Sequence, residues 1–426
     1  MSEQDQVFAR AAWRLIPFMM LLYLVNFIDR VNVGFAALTM NRDLGFSPAV
    51  YGFGAGVFFL GYSLFQIPAN LILERLGARR WIFIVLIAWG ALSASNALVV
   101  SAGSFYTVRI LLGIAEAGFF PGMVLYLTYW FPRAYRARLI AIFMTAIPFA
   151  NVVGGPLSSL ILGMDGALGL HGWQWLFLIE GGPACVLAFV VLAWLPSGPN
   201  EARWLTDEEK HVIAARLAAE DTSQHRGFLP ALLDVRVYAL GIAYLGYATG
   251  YYGVQLWLPQ IVQAMGFSNF ATGFMVALPF IATMVAMVLW GRSSDRTGER
   301  IWHAALPALV AAAGLLVASA VTSNLVVFLA LTAVLVSLMS FQGPFWALPS
   351  TFLGGTAAAG GIAFINTIGT GAGGFLGPYV TGVFREATGD YSAAMAAIAV
   401  GPVLTCIVVL ALARAMRPLL SQDQRA

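Results

Sequence analysis

The sequence predicts an all-α membrane protein with twelve transmembrane helices in two pseudo-symmetric six-helix bundles. Three observations lead there. Of 426 residues 60% are hydrophobic and only 10% charged, with a mean hydropathy of +0.81, whereas a soluble domain carries about 25% charged residues. Apolar runs near the roughly 20 residues a bilayer-spanning helix needs recur twelve times. Two short signatures also reappear about half a chain later.

The runs lie at 13–38, 50–73, 81–101, 105–130, 138–163 and 173–195, then at 237–262, 270–290, 302–322, 325–348, 357–383 and 393–414. One long polar stretch separates the sixth from the seventh, which assigns 1–195 to an N-terminal bundle, 196–236 to a cytoplasmic linker and 237–426 to a C-terminal bundle. Within the linker, Thr206 and Glu209 have the spacing of a capping box that starts a short helix through about Ala219. The first run is too long for a signal peptide, so the first helix is expected to stay attached.

Orientation follows from the cations. With both termini cytoplasmic, every basic residue falls on the inner side except Arg42 and Arg385, which lie outside, and Arg30 and Arg109, which lie within apolar runs. The positive-inside rule favours that arrangement.

Glu74-Arg75-x-Gly77-x-Arg79 after the second span matches Asp295-Arg296-x-Gly298-x-Arg300 after the eighth at an offset of 221, and Gly155-Pro156 matches Gly377-Pro378 at 222. Six helices per half give both halves the same orientation, a parallel repeat about the membrane normal that encloses a central cavity. The charged glycine loops are expected to act as gating loops, latching the bundles on the cytoplasmic side by pairing with neighbouring helix ends. The plainer alternative is a positive-inside turn, against which the repeat weighs.

Several function classes drop out. Lys210 is the single lysine and no Gly-x-x-x-x-Gly-Lys-Ser/Thr string surrounds it, so the chain lacks a P-loop ATPase. Cys185 and Cys406 sit far apart in apolar stretches, as packing residues do, and His171, His211, His225 and His303 have no ligand spacing. No metal, cofactor or nucleic-acid partner is expected.

Four charges stand where a membrane should exclude them. Asp29, Arg30, Arg109 and Glu116 lie inside apolar runs, and a charge at a helix centre costs about 2.5–3.5 kcal/mol on insertion scales. A rise of 1.5 Å per residue puts Asp29 and Arg109 each about 24 Å from the inner edge, with Glu116 about 10 Å deeper than Arg109, near the midplane. Structural salt bridges, Asp29 with Arg109 or Arg30 with Glu116, are one reading. Apolar packing would hold a bundle at less cost, so the functional reading is preferred. An arginine can grip a carboxylate with its two-pronged guanidinium once the acid that neutralises it takes up a proton, so proton and anion help each other bind. Arg30 and Arg109 are therefore the anion candidates, and Asp29 and Glu116 the proton candidates. Tyr62, Tyr251, Gln255 and Asn366 are weaker cavity contacts, since tyrosine stripes more often serve packing. Glu180 reads as a structural hydrogen-bonding acid.

Five strings carry a resemblance: Tyr23-x-x-x-x-x-Asp29-Arg30-Val31-Asn32, Arg109-Ile-Leu-Leu-Gly-Ile-Ala-Glu116-Ala-Gly-Phe-Phe-Pro-Gly122, Gly172-Trp-Gln-Trp-Leu-Phe-Leu-Ile-Glu180-Gly, Gly343-Pro-Phe-Trp-Ala-Leu-Pro349 and Asn366-Thr-Ile-Gly-x-x-x-Gly-Gly-Phe-x-Gly-Pro378. Together they resemble the anion:cation symporter family of the major facilitator superfamily, in particular bacterial carriers of tartrate, phthalate and 4-hydroxyphenylacetate. The resemblance implies proton-coupled uptake of organic anions, with Asp29 and Glu116 at the family's protonation sites and Arg30 and Arg109 at its anion-binding and charge-coupling positions. Gln66 and Thr370 depart from the pattern, standing where relatives usually carry Glu and often Asn.

The expected protein is a monomeric, multi-pass carrier of the cell inner membrane. It imports a small organic carboxylate with protons by alternating access. The alternatives are a proton-coupled antiporter exporting amphipathic compounds, an intramembrane enzyme, disfavoured because no paired histidine, metal motif or activated serine accompanies the charges, and a proton channel, disfavoured by the repeat.

Overall fold

A computed structural model describes residues 3–219, 233–353 and 355–423, and among these all regular structure is helical. Linker residues 220–232, which include His225 and Arg226, and Arg425 lie outside the described residues.

The first six spans are α1 (Glu3–Leu44), α2 (Pro48–Leu76), α3 (Ala78–Ser95), α4 and α5 (Ala102–Glu116, Phe119–Thr128), α6 and α7 (Arg133–Met144, Ala146–Leu162) and α8 (Gly172–Trp194). The linker helix α9 (Asp207–Ala218) follows. The second six are α10 and α11 (Val235–Gln255, Leu258–Ala264), α12 (Asn269–Thr297), α13 (Ile301–Ala320), α14 (Asn324–Ala347), α15 and α16 (Gly355–Ile368, Gly374–Thr388) and α17 (Ser392–Asp423).

Ten of these spans are long and apolar enough to cross a membrane. The seventh and eleventh runs, at 237–262 and 357–383, fall short by composition: tyrosines and glycines dilute α10, and glycines with Asn366 and Thr370 dilute the eleventh. Both pack inside the second set of helices, α10 against α14, α15, α16 and α17. Four predicted runs are broken helices. The fourth breaks at Ala117–Gly118, the fifth at Thr145, the seventh at Leu256–Trp257 before Pro259, and the eleventh widens into a π-helical turn at Gly369–Gly373.

The predicted capping box is present: the Glu209 amide donates to Thr206 Oγ1 at 3.3 Å and the Thr206 amide donates to Glu209 Oε2 at 3.0 Å. Glu209 also pairs with Arg10 at 2.7 Å, which ties α9 to the N-terminal part of α1.

The two sets of helices meet along α2 with α16 and along α7 with α12. Glycines permit this approach. A Cβ at Gly52 would fall 2.5 Å from the Pro378 carbonyl, and one at Gly155 would fall 2.5 Å from that of Gly273. Both contacts lie in the half of the molecule toward the loops at 45–47 and 389–391.

Candidate functional site

Helix α1 carries Asn26 and Arg30 one turn apart and Asp29 and Asn32 on the neighbouring face, while α4 carries Arg109 and Glu116 two turns apart on one face. Asp29 and Arg109 are 1% exposed, Glu116 is fully buried, and the Arg30 side chain retains 11% exposure. Arg30 donates from Nη2 at 2.6 Å and from Nε at 3.2 Å to Glu116 Oε2, and Asn26 Nδ2 donates to the same oxygen at 3.0 Å. Glu116 Oε1 is buried with no partner. The Arg30 guanidinium also lies 5.0–5.4 Å from the rings of Phe27, Phe58 and Tyr62.

Arg109 is different. Its Nε and Nη1 are buried with no hydrogen-bond partner, and its guanidinium lies 5.0 Å from the centroid of Phe58, one of the rings that Arg30 also approaches. Asp29, which depth arithmetic sets level with it, instead accepts from Asn32 Nδ2 at 2.8 Å, Trp89 Nε1 and Ser93 Oγ. Of the two pairings open from sequence, Arg30 with Glu116 forms and Asp29 with Arg109 does not. Helical rise fixes height but not direction, and Asp29 leaves α1 toward α3. A buried cation lacking its bonds is costly unless an anion completes it. The Arg109 and Arg30 guanidinium groups both lie within 5.0–5.4 Å of the Phe58 ring centroid, Arg30 paired with Glu116 and Arg109 with two nitrogens unpartnered.

The second half of the chain brings aromatic hydroxyls to this centre. Tyr251 is 3% exposed and its hydroxyl has no partner. Tyr252, which sequence passed over as a site residue, lies with Tyr62 within electrostatic reach of Arg30 and packs tilted against the Phe59 ring at 4.2 Å. Gln255 is occupied elsewhere: its Nε2 donates to Asn151 Oδ1 at 3.0 Å, a bond between the two halves. Asn366 Oδ1 accepts from Thr370 at 3.0 Å, and Gln66 Oε1 accepts from Thr367 at 2.8 Å. Trp89 and Ser93 were also missed; their signal is a serine one turn after a tryptophan in an otherwise apolar run.

The ends of the molecule differ. Toward the loops at 45–47 and 389–391, Ser47 Oγ and the Ala49 amide donate to Glu386 Oε2 at 2.6 and 2.9 Å, Asn41 Nδ2 donates to Gln260 Oε1 at 3.2 Å, and Tyr51 Oη donates to the Leu256 carbonyl at 2.7 Å. The two donors at the start of α2 hold the Glu386 carboxyl below the usual carboxylate range. At the opposite end the residues of the two charged glycine loops make no bond from one half to the other, and Arg79 bonds its own half and the start of the linker. Arg79 reaches the Leu192 carbonyl, Ser197 and Glu201, while Arg300 bonds Asp295 at 2.7 Å and Ser294 at 2.9 Å. Glu74, Arg75 and Arg296 form no hydrogen bond or ion pair among the described residues. Gly77 and Gly298, with φ of +76° and +67°, end α2 and α12 alike. The predicted latch is therefore not engaged in this conformation, which is bonded shut at the other end.

Comparison with known proteins places this geometry. The model of the Major Facilitator Superfamily matches residues 19–378. A protein of Agrobacterium vitis named "Putative tartrate transporter" is 48% identical over 96% of this chain and 92% of its own length. The "Quinolone resistance transporter" of Acinetobacter baumannii is 39% identical, with 97% of each chain covered. Among solved structures, a bacterial homologue of the human lysosomal transporter Spinster aligns with a TM-score of 0.80 at 18% identity, over 98% of this chain and 99% of that one. Helical throughout its described regular structure, with a cluster of charges buried on α1 and α4 and with transporters as its relatives, the chain belongs to the major facilitator superfamily and is a transporter, not an enzyme.

Proposed function

We propose that this transporter imports an organic carboxylate with protons across the cell inner membrane, both termini facing the cytoplasm. Its halves, 1–195 and 237–426, rock about the buried site with 196–236 as their tether. The observation that carries the reading is Arg109, buried beside Arg30 with two nitrogens unpartnered. When the site opens outward, a proton on Glu116 removes the counter-ion of Arg30. An anion then bridges Arg30 and Arg109 and is steadied by Tyr62, Tyr251 and Tyr252, with Gln255 and Asn366 at the margin. Opening inward lets Glu116 lose its proton, recover Arg30 and displace the anion. The pairing seen here, with the outer end closed, corresponds to the stage after release.

Asp29, Arg30, Arg109 and Glu116 sum to zero charge, and burial favours keeping that sum when substrate enters. The reading therefore couples as many protons as the anion has charges, with Asp29 taking the second for a dicarboxylate. The tartrate-named relative favours a hydroxylated dicarboxylate. Purified protein in liposomes, given an inward pH gradient, tests this: saturable uptake from a panel of dicarboxylic, sugar and aromatic acids is expected, and uptake indifferent to the gradient would refute symport. The quinolone-resistance relative favours a second reading, proton-coupled export of amphipathic compounds through the same carboxyls. Gradient-driven efflux of such compounds with no anion uptake would select it.

A further inference from the structure

The first and sixth spans meet the linker around a group of aromatic and basic side chains that the transport cycle leaves unused. Arg10, Trp13 and Arg14 of α1, Trp194 at the end of α8 and Trp204 of the linker line an open cavity of about 520 Å3. The Arg14 guanidinium lies 5.8 Å from the ring centroid of Trp194 and 5.4 Å from that of Trp204. Both rings are packed in turn: Phe18 sits tilted against Trp194 at 4.8 Å, and Trp130 stacks on Trp204 at 5.5 Å with the planes 8° apart. Trp13, by contrast, is 82% exposed.

The lining holds two cations and no acid. Arg10 spends its charge on Glu209 at 2.7 Å, whereas Arg14 makes no hydrogen bond or ion pair among the described residues. One positive charge is therefore left over, and a single anion with two oxygens for the guanidinium fork matches it. The tryptophan contacts already restrain Arg14, so gripping that anion costs little further side-chain freedom. They also bear on which headgroup fits: Arg14 occupies Trp194 and Trp204 as their cation, which disfavours a headgroup that brings an ammonium of its own.

The level of the cavity decides between a lipid and a soluble anion. Trp13 opens the first apolar run and Trp194 closes the sixth, with polar sequence beyond both, so the cavity lies at the headgroup level where tryptophan concentrates. From there Leu21 of α1 and Val186, Phe189 and Val190 of α8, which packs against α1, lead into the bilayer as exposed apolar residues. Acyl chains can lie along that face, and a soluble phosphate gains nothing from it.

We propose that this cavity binds one anionic phospholipid from the leaflet on the side of the chain's N-terminus, the cytoplasmic leaflet in the orientation proposed above. Its phosphodiester sits on Arg14 with Arg10 beside it, and its chains run along α1 and α8. Because Trp204 lies just before the cap of α9, the bound lipid joins the linker to the first half.

Native mass spectrometry of the full-length protein released from detergent, after incubation with equal amounts of phosphatidylglycerol and phosphatidylcholine, counts the lipids kept. The wild type is expected to keep one phosphatidylglycerol in preference to phosphatidylcholine, and Arg14→Gln to hold it about tenfold or more weakly. Arg292→Gln, which removes an exposed arginine of α12 outside the cavity, is expected to match the wild type. Equal retention of the two lipids by the wild type, undiminished retention in Arg14→Gln, or equal loss in both variants would each overturn the site. So would displacement of the lipid by excess glycerol phosphate, which would mark a site for soluble phosphates. The wild-type preference alone decides if Arg14→Gln does not fold. None of these results depends on which compound is carried, so the lipid site can fail while anion uptake stands.

Discussion

Replacing Glu116 with Gln removes one charge from a site where its geometry is fully specified. One Glu116 oxygen receives two hydrogen bonds from Arg30 and one from Asn26. A glutamine carbonyl can accept the same bonds, so the packing survives while the site's charge rises from zero to plus one. Arg30 stays ionised, so its bonds to the glutamine carbonyl remain charge-assisted, and what the variant loses is the attraction between opposite charges, about 4 kcal/mol at 4 Å for an effective dielectric near 20 and less after desolvation. Arg30 therefore becomes available to an anion at a gain of roughly 1–3 kcal/mol, about a 5- to 150-fold tightening at 1.4 kcal/mol per decade. The proton needed to free Arg30 is no longer required, so binding should also lose most of its pH dependence. Calorimetric titration of the transported anion at pH 6 and pH 8, with counterflow in liposomes, reads both effects. Tighter, nearly pH-independent binding is expected, with exchange intact and accumulation driven by the pH gradient lost. Unchanged affinity with wild-type pH dependence, or full accumulation against a gradient, would refute the competition between Glu116 and anion for Arg30.

Other consequences follow from particular contacts. Glu386 is held below its ordinary carboxyl value by Ser47 and Ala49, so the clasp between them should outlast the ordinary glutamate range as pH falls and loosen only through that lowered value; spin-label distances between α2 and α16 that open in Glu386→Gln at neutral pH, but stay closed in the wild type, would check it. Gly273→Leu places a side chain where a Cβ already falls 2.1 Å from Ser159 Oγ and 2.3 Å from the Gly155 carbonyl, so the α7–α12 seam should stay apart and the outward-open form accumulate; distances unchanged from wild type would argue against closure at that seam. Trp89→Phe deletes one donor to Asp29 at nearly constant ring packing, and should weaken the ionised form of Asp29, read as altered pH dependence of uptake; an identical profile would remove Trp89 from the proton site. Thr206→Ala should cost about 1 kcal/mol in the cap of α9, seen as faster hydrogen exchange there with transport unaffected.

Much of this was legible in the residues. Hydropathy located the helical runs, and the cost of intramembrane charge singled out Asp29, Arg30, Arg109 and Glu116, all of them on the two helices that carry the buried charges. Helical rise gave their depths. It could not give their bearings, which depend on how α1 and α4 rotate against α3 and α2, so the partnership of Asp29 with Trp89 and Ser93 stayed hidden. The clasp between Ser47 and Glu386 was also invisible, because the two residues meet across 339 positions and each reads as an ordinary helix-end residue. The breaks before Pro259 and at Gly369–Gly373 interrupt continuous apolar patterns: periodicity registers which face is buried but not whether the backbone bends.

The central claim is that Arg109, with its Nε and Nη1 buried and unpartnered, receives the substrate carboxylate. It is tested most directly by pH-driven uptake of the transported acid into liposomes holding Arg109→Ala protein, with the folded fraction matched to wild type by size-exclusion profile. Loss of saturable uptake is predicted, and wild-type rates in that variant would contradict the account.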